Sequence, residues 1–273
     1  MRLENLSEVV CEKEESGICT LTFNIPKRRN ALSYVTFLEI WTVIDDMEKD
    51  KNTKILIITG CKEANAFSAG GYFNMKYVTS IPPEIMKEID LMDIAQKKLC
   101  MKLWNFNKPV IAAINGLAVG IGITMPLVVA DLIYMSEDAW LGFYFLKRAV
   151  IPEFSSTFVL PFLVGFQKAK EIMFFGDKIT AREAEKLGLV NKVLPPDDLM
   201  PFVREQALRL IPPKAPSLAL NRTKRVMHDY FREILSKTLD LENEALRASL
   251  ETSDFRAATK SLITKKEPLF KGK

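Results

Sequence analysis

The stretch from Val110 to Ala130 limits the possible folds more than any other part of the chain. Val110-Ile-Ala-Ala-Ile114 is a short apolar run of the kind that forms a strand buried on both faces. It meets a turn at Asn115-Gly116. Small residues then lead into an apolar stretch from Gly120 to Ala130, which predicts a buried helix. A buried strand feeding a buried helix points to an α/β arrangement.

The flanking segments extend that pattern. Two strand-like runs around Gly17 predict a hairpin from about Val9 to Phe23, ended by Pro26. Ser33 can cap the next helix, whose apolar face is marked by Phe37, Trp41, Ile44 and Met47. Lys54 to Thr59 and Leu132 to Tyr134 read as further buried strands. Pro82 and Pro83 open a long helix predicted to run to about Trp104. Thr180 to Glu183 has capping-box form, Gly188 ends that helix, and Leu189 to Leu194 is the last clear strand. After Pro195-Pro196 strand signals stop and helical patterns run to about Leu262. Residues 1–195 therefore read as an α/β core and residues 196–273 as a helical C-terminal part.

With 273 residues, nearly half of them hydrophobic, the chain can build one large core. The net charge of +4 is mild. It suits an anionic ligand, and no long basic run outside the C-terminal tail calls for nucleic acid. The four cysteines, Cys11, Cys19, Cys61 and Cys100, show no CxxC spacing, so reduced and mostly buried thiols in a cytoplasmic setting are expected. The acidic N-terminal stretch lacks the apolar segment of a signal peptide, and no apolar run is long enough for a membrane span. The C-terminal residues do not form a peroxisomal address of the Ser-Lys-Leu type. His228 is the only histidine. That excludes a two-histidine metal site, and any Ser-His-Asp triad would have to use this residue, which lies in a C-terminal helical pattern. Proton transfer would fall mainly to carboxylates.

Three segments could carry chemistry. Ala66-Phe-Ser-Ala-Gly-Gly-Tyr72 is a loop of small residues whose N–H groups can approach a ligand. Lys108-Pro-Val-Ile-Ala-Ala-Ile-Asn-Gly-Leu-Ala-Val-Gly-Ile-Gly122 ends at a helix N-terminus, where unpaired amides attract negative charge. Gly120 and Gly122 lack the third glycine of a dinucleotide fingerprint. Ile151-Pro-Glu-Phe-Ser-Ser-Thr157 places a carboxylate in an apolar, Phe-rich setting.

In this order the segments resemble the crotonase (enoyl-CoA hydratase/isomerase) superfamily. The second is similar to its Lys-Pro-x-Ile-Ala-x-x-Asn-Gly-x-Ala-x-Gly-x-Gly stretch, and the first to its Ala-Phe-x-Ala-Gly-x-Asp loop. Arg29-Asn-Ala-Leu-Ser33, Asp131-Leu-Ile-Tyr134 and Ala184-Glu-Lys-Leu-Gly-Leu-Val190 also match. The likeness spans about Gly17 to Arg225. It implies a ClpP-like α/β fold of repeated β-β-α units with a helical C-terminal region used in trimerisation. Assembly would be a homotrimer or a hexamer. It implies an acyl-CoA thioester as substrate, no separate cofactor, and neither a nucleic-acid nor a membrane partner. The thioester oxygen would be held by two backbone N–H groups, those of Gly71, after Ala69 and Gly70, and of Ile121. The run from Gly120 to Asp131 is one residue longer than the family spacing, so Gly122 is the other candidate for the second donor.

Hydration in the family uses two glutamates. Thr124 stands at one of those positions and Phe145 at about the other. Glu153 instead resembles the base of peroxisomal-type Δ3,Δ2-enoyl-CoA isomerases, in a Pro-Glu-x-x-Ser-Ser segment whose last serine is here Thr157. One base suffices to move a proton from C2 to C4 of a 3-enoyl thioester, and an apolar setting should raise its pKa. Phe73, Met75, Tyr144, Phe145 and Phe154 are candidates for the acyl pocket. Tyr72 replaces the usual acid of the first loop. Lys27, Arg28 and Arg29 would lie near the pantetheine entrance, and Lys271 and Lys273 of a neighbouring subunit could reach the phosphates. The alternatives are hydration, decarboxylation of an acyl thioester, and acyl-CoA binding without catalysis.

Overall fold

The computed structural model describes residues 3–72, 78–79 and 81–273. Strand β1 (Val9–Lys13) turns back into β2 (Ile18–Phe23), antiparallel, with Val9 opposite Phe23 and Lys13 opposite Cys19. Ser33 caps α1 (Tyr34–Lys49) through a reciprocal bond with Thr36, which satisfies donors the helix cannot. Phe37, Ile44 and Met47 face the core as their spacing predicts, and Trp41 is half-buried. Strand β3 (Ile55–Gly60) lies parallel to β2, and β4 (Ala66–Ser68) follows in a second sheet.

The long helix expected from Pro83 to about Trp104 does not form. Instead α2 (Pro83–Met86) stops early, and α3 (Lys97–Asn105) starts afresh. Acidic side chains make the break. Asp90 accepts the Met92 N–H at 3.0 Å, and Asp93 accepts those of Lys97 and Lys98 at 2.6 and 2.8 Å. Short carboxylates that compete for backbone donors favour caps over helix interiors.

The limiting stretch becomes β5 (Val110–Ile114), β6 (Leu117–Val119) and α4 (Ile121–Val129). The same order returns in β7 (Leu132–Ser136), β8 (Trp140–Gly142) and α5 (Ser156–Val164). Then come α6 (Phe166–Phe175), β9 (Lys178–Thr180), α7 (Ala181–Lys186) and β10 (Lys192–Leu194). β10 is shorter than the run from Leu189 suggests. The large sheet has the order β1-β2-β3-β5-β7-β10, and the small one β4-β6-β8-β9. β1 and β9 are the antiparallel strands in them. Strands β3, β5 and β7 of the large sheet are followed by β4, β6 and β8 of the small one, and the last two pairs lead on to α4 and α5, which gives the β-β-α repeat. The small sheet escapes the sequence reading because three-residue strands are too short to show a period.

The C-terminal part folds into α8 (Pro196–Arg209), α9 (Ser217–Asp229), α10 (Arg232–Leu250) and α11 (Ser253–Thr264). Helix α8 covers one face of the large sheet, where Ile55, Ile57, Ile111 and Ala113 meet Leu199, Val203 and Ala207. Leu56, Ile58 and Ala112 point to the main core on the other face. Alternate residues are thus buried against different layers, so these strands are apolar throughout. Among the described residues no helix is long and apolar enough to cross a membrane.

Candidate active site

The loop after β4 is built from its neighbours. Buried Asn30 accepts the Ile25 N–H at 2.9 Å and donates to the Ala66 carbonyl at 2.9 Å. Downstream, the Ala69 N–H donates to Arg29 O at 3.0 Å and the Gly70 N–H to Ser68 Oγ at 3.2 Å. The Leu32 N–H donates to Gly70 O at 2.8 Å, and the Tyr72 N–H to Leu32 O at 2.7 Å. The neighbours of Gly71 are therefore engaged, while its own N–H meets no acceptor among the described residues. Gly71 is also exposed.

Helix α4 presents the second group of open amides. Gly120 has φ 54° and ψ −127°, a conformation open in practice to glycine alone. Its N–H donates to Gly142 O at 3.0 Å, and its carbonyl accepts from Ile123 and Thr124 at 2.9 and 3.0 Å. The Ile121 and Gly122 N–H groups have no acceptor among the described residues, as expected in a first helical turn. Gly122 lies against β4, where a Cβ would come within 2.6 Å of Ser68 O. A Cβ on Gly70 would lie 3.0 Å from Val119 O, and one on Gly120 would lie 3.9 Å from Gly70 Cα. The two loops therefore meet at Gly70 and Gly120, the residues directly before Gly71 and Ile121.

Glu153 is reached from the same helix. Thr124 Oγ1 donates to Glu153 Oε1 at 2.9 Å, and Thr124 stands about 4.5 Å of helical rise beyond Ile121. Glu153 is only 9% exposed. Burial, with a smaller push from the Glu242 charge, raises its carboxyl to about 8, against the opposing effect of the Thr124 bond. Phe145, buried, turns its ring toward Gly120, where a Cβ would stand 3.9 Å from Phe145 Cζ. Thr124 thus offers a hydroxyl bound to Glu153, and Phe145 an apolar ring.

The chain after Glu153 is unusual. Phe154 and Ser155 both have positive φ, 59° and 60°, at a cost of roughly 1–3 kcal/mol each for residues other than glycine. The Ser155 hydroxyl, at the N-cap of α5, makes no capping bond and has no partner. Glu242 on α10 takes over that work. It accepts the Ser155 N–H at 2.6 Å, the Thr157 N–H at 3.2 Å and the Thr157 hydroxyl at 2.5 Å. Burial raises the Glu242 carboxyl to about 7, although these bonds oppose the shift.

Gly71, Ile121, Phe145 and Glu153 are thus brought together, with Ala69 and Gly70 shaping the loop. Phe154, a candidate for the acyl pocket, is instead fully buried in the main core. Arg28 is engaged within the fold. Its guanidinium lies 2.5 Å from Glu8 and 4.5 Å over the Tyr72 ring, so Tyr72 in place of an acid braces the loop against a cation. Lys27 and Arg29 are exposed beside it. Tyr144 packs on Trp140, with Lys147 over its ring. Phe73 and Met75 lie outside the described residues. Lys271 is exposed, on a tail whose Lys271 and Gly272 N–H groups donate to Asp254 at the start of α11. Lys273, also exposed, ends the same tail. His228 stacks on Trp104 and bonds its carbonyl at 2.8 Å, away from these groups.

Sequence reasoning met Asn30 and Ser68 only as parts of motifs, without their bonding roles, and missed Glu242. Glu242 did leave a signal: it falls on the buried stripe of Leu235, Leu239 and Leu246, where an acid needs a partner.

Comparison with known proteins places the chain among relatives. Residues 13–273 match the sequence profile described as enoyl-CoA hydratase/isomerase. A short-chain-enoyl-CoA hydratase of Clostridium acetobutylicum is 31% identical over 96% of this chain and 97% of that protein. The peroxisomal enoyl-CoA delta isomerase 3 of Mus musculus is 33% identical over 69% of this chain and 58% of that protein. A crystal structure of an enoyl-CoA hydratase/isomerase from Pseudoalteromonas atlantica has the same fold, with a TM-score of 0.84 at 22% identity, covering 97% of this chain and 100% of that one.

Proposed function

This chain belongs to the enoyl-CoA hydratase/isomerase (crotonase) family of enzymes, and we propose that within it the protein is an isomerase that shifts the double bond of a 3-enoyl-CoA to the 2-trans position. The family needs no cofactor, since CoA is part of its substrate. The observation that carries the reading is Glu153: one buried carboxyl of raised proton affinity, bound to Thr124 a turn beyond the open amides of α4.

The Gly71 and Ile121 N–H groups bind the thioester oxygen. Glu153, as the carboxylate, takes a proton from C2, and the electron pair moves through the carbonyl to oxygen. The dienolate so formed is stabilised by the two preorganised donors, each worth about 3–4 kcal/mol when removed from comparable sites. The protonated Glu153 then returns its proton at C4, leaving the double bond conjugated with the carbonyl. A pKa near the working pH suits a group that must both take and give a proton. Exclusion of water keeps the dienolate from side reactions.

Hydration requires a second acid–base group to handle water. Thr124 and Phe145 at the corresponding positions supply none. The relatives include both hydratases and isomerases, so the residues around Glu153, not the family, favour isomerisation. The lysines of the tail, Lys271 among them, and the turn of Lys27, Arg28 and Arg29 are the basic groups offered to the CoA phosphates. A trimer or a pair of trimers is proposed as the working assembly.

Direct assay of 3-enoyl-CoA and 2-enoyl-CoA tests the reading. Wild type should conjugate the first and add little water to the second. Glu153→Gln should lose about 10²–10⁴-fold in turnover. Abundant 3-hydroxyacyl-CoA from wild type would defeat it.

A further inference from the structure

Beyond this reading, and resting on it, the geometry points to Glu242 as a positioning residue that aims Glu153 by capping helix α5 from α10. The sequence gap between them is 89 residues, so nothing local imposes the link.

Helix α5 begins without a local cap. Its N-cap residue, Ser155, is left-handed and its hydroxyl bonds nothing. The first-turn amides of a helix need acceptors, and a carboxylate there also gains from the helix dipole. Glu242 meets that need from across the core, taking the Ser155 and Thr157 N–H groups and the Thr157 hydroxyl. Residue Phe154, which joins this cap to Glu153, is itself left-handed, buried and tied through its carbonyl to the Cys100 thiol at 3.8 Å. The carbonyl of Glu153 accepts from the Ser156 N–H and hydroxyl at 3.1 and 2.7 Å. A strained pair of residues persists only where its surroundings over-determine it. Here the determinants are the Phe154 ring in the core and the Glu242 carboxylate on the far side.

The anchor is itself anchored. Asn243, the next residue of α10, accepts the Ala95 N–H at 2.7 Å and donates to Asp93 at 2.9 Å. Asp93 in turn caps the start of α3. One turn of α10 thus fixes both the Glu153 loop and the segment before α3. Without Glu242, the Phe154–Ser155 pair loses the acceptor that holds it, and Glu153 swings relative to Thr124 and the open amides.

The test uses the full-length protein with 3-enoyl-CoA. Glu242→Gln keeps the side-chain size but turns an N–H₂ group toward the donors. Its kcat should fall about 10²-fold, the effect of an ångström-scale misplacement, with KM near wild type. Amide exchange at Ser155 and Thr157 should quicken. Thr157→Val removes only the hydroxyl donor and should lower kcat in the same sense, with Thr157→Ser staying closer to wild type. It decides the matter if Glu242→Gln does not fold. Wild-type kcat and unchanged amide exchange in both Glu242→Gln and Thr157→Val would overturn the positioning role. Glu153→Gln, measured alongside, separates the two ideas. If it is inactive while the other variants match wild type, the base stands and the positioning role falls. If it keeps wild-type turnover, the base itself is misassigned and the positioning role falls with it.

Discussion

Glu153 holds its proton at a pH where an ordinary carboxylic acid has lost it. The folded carboxyl titrates at about 8, and its ordinary value is 4.5. Between those values the native protein binds a proton that the unfolded chain does not. Stability is therefore fully expressed below the lower value and falls as pH rises through the window. Glu153→Gln cannot titrate. Its melting temperature should gain on wild type between about pH 5 and pH 9, read by thermal denaturation at matched ionic strength. Parallel curves would mean the carboxyl is not buried as described. The residue was singled out in the sequence by its apolar setting together with the resemblance of its Pro-Glu-x-x-Ser segment to an isomerase base, not by its flanks alone. Its bond to Thr124 was not legible there, because the two are 29 positions apart and only the packing of α4 on α5 joins them. Phe154 is the converse. Proximity in sequence suggested a pocket wall, but its left-handed backbone turns the ring into the core.

At the scale of elements, the site depends on where α4 starts. Gly120 gives that start a conformation other residues resist, and its turn delivers the Ile121 amide beside the Gly70 loop. Gly120→Ala would carry about 1–3 kcal/mol of strain. By displacing the donor it should also lower kcat by about 10²–10³-fold. Steady-state kinetics beside a denaturation curve separates the two effects, and a stable variant with wild-type kcat would show that the donor lies elsewhere. The glycines, the buried strands and the capping boxes could be read from the sequence because each needs only a few neighbouring residues. The small sheet and the break between α2 and α3 could not. The first depends on three-residue strands, and the second on where Asp90 and Asp93 send their carboxylates.

At the scale of the whole molecule, several aromatic side chains are left uncovered. Phe162, Phe166, Phe174 and Phe175 are each more than 60% exposed, and Phe162 packs edge to face on Phe158 and Phe231. Exposed apolar clusters of this kind mark interaction surfaces. Sedimentation should give the mass of three or six chains, and a monomer at micromolar concentration would contradict the proposed assembly. The proposed chemistry asks one thing of the assembled enzyme: that a single buried carboxyl carry the same proton from C2 to C4. The decisive measurement is therefore the fate of deuterium placed at C2 of a 3-enoyl-CoA, followed by mass spectrometry and NMR of the first-turnover product in ordinary water. A shuttle by Glu153 leaves a substantial share of that label at C4, and Glu153→Gln yields no such product. Label found only in solvent, with water added across the double bond, would contradict it.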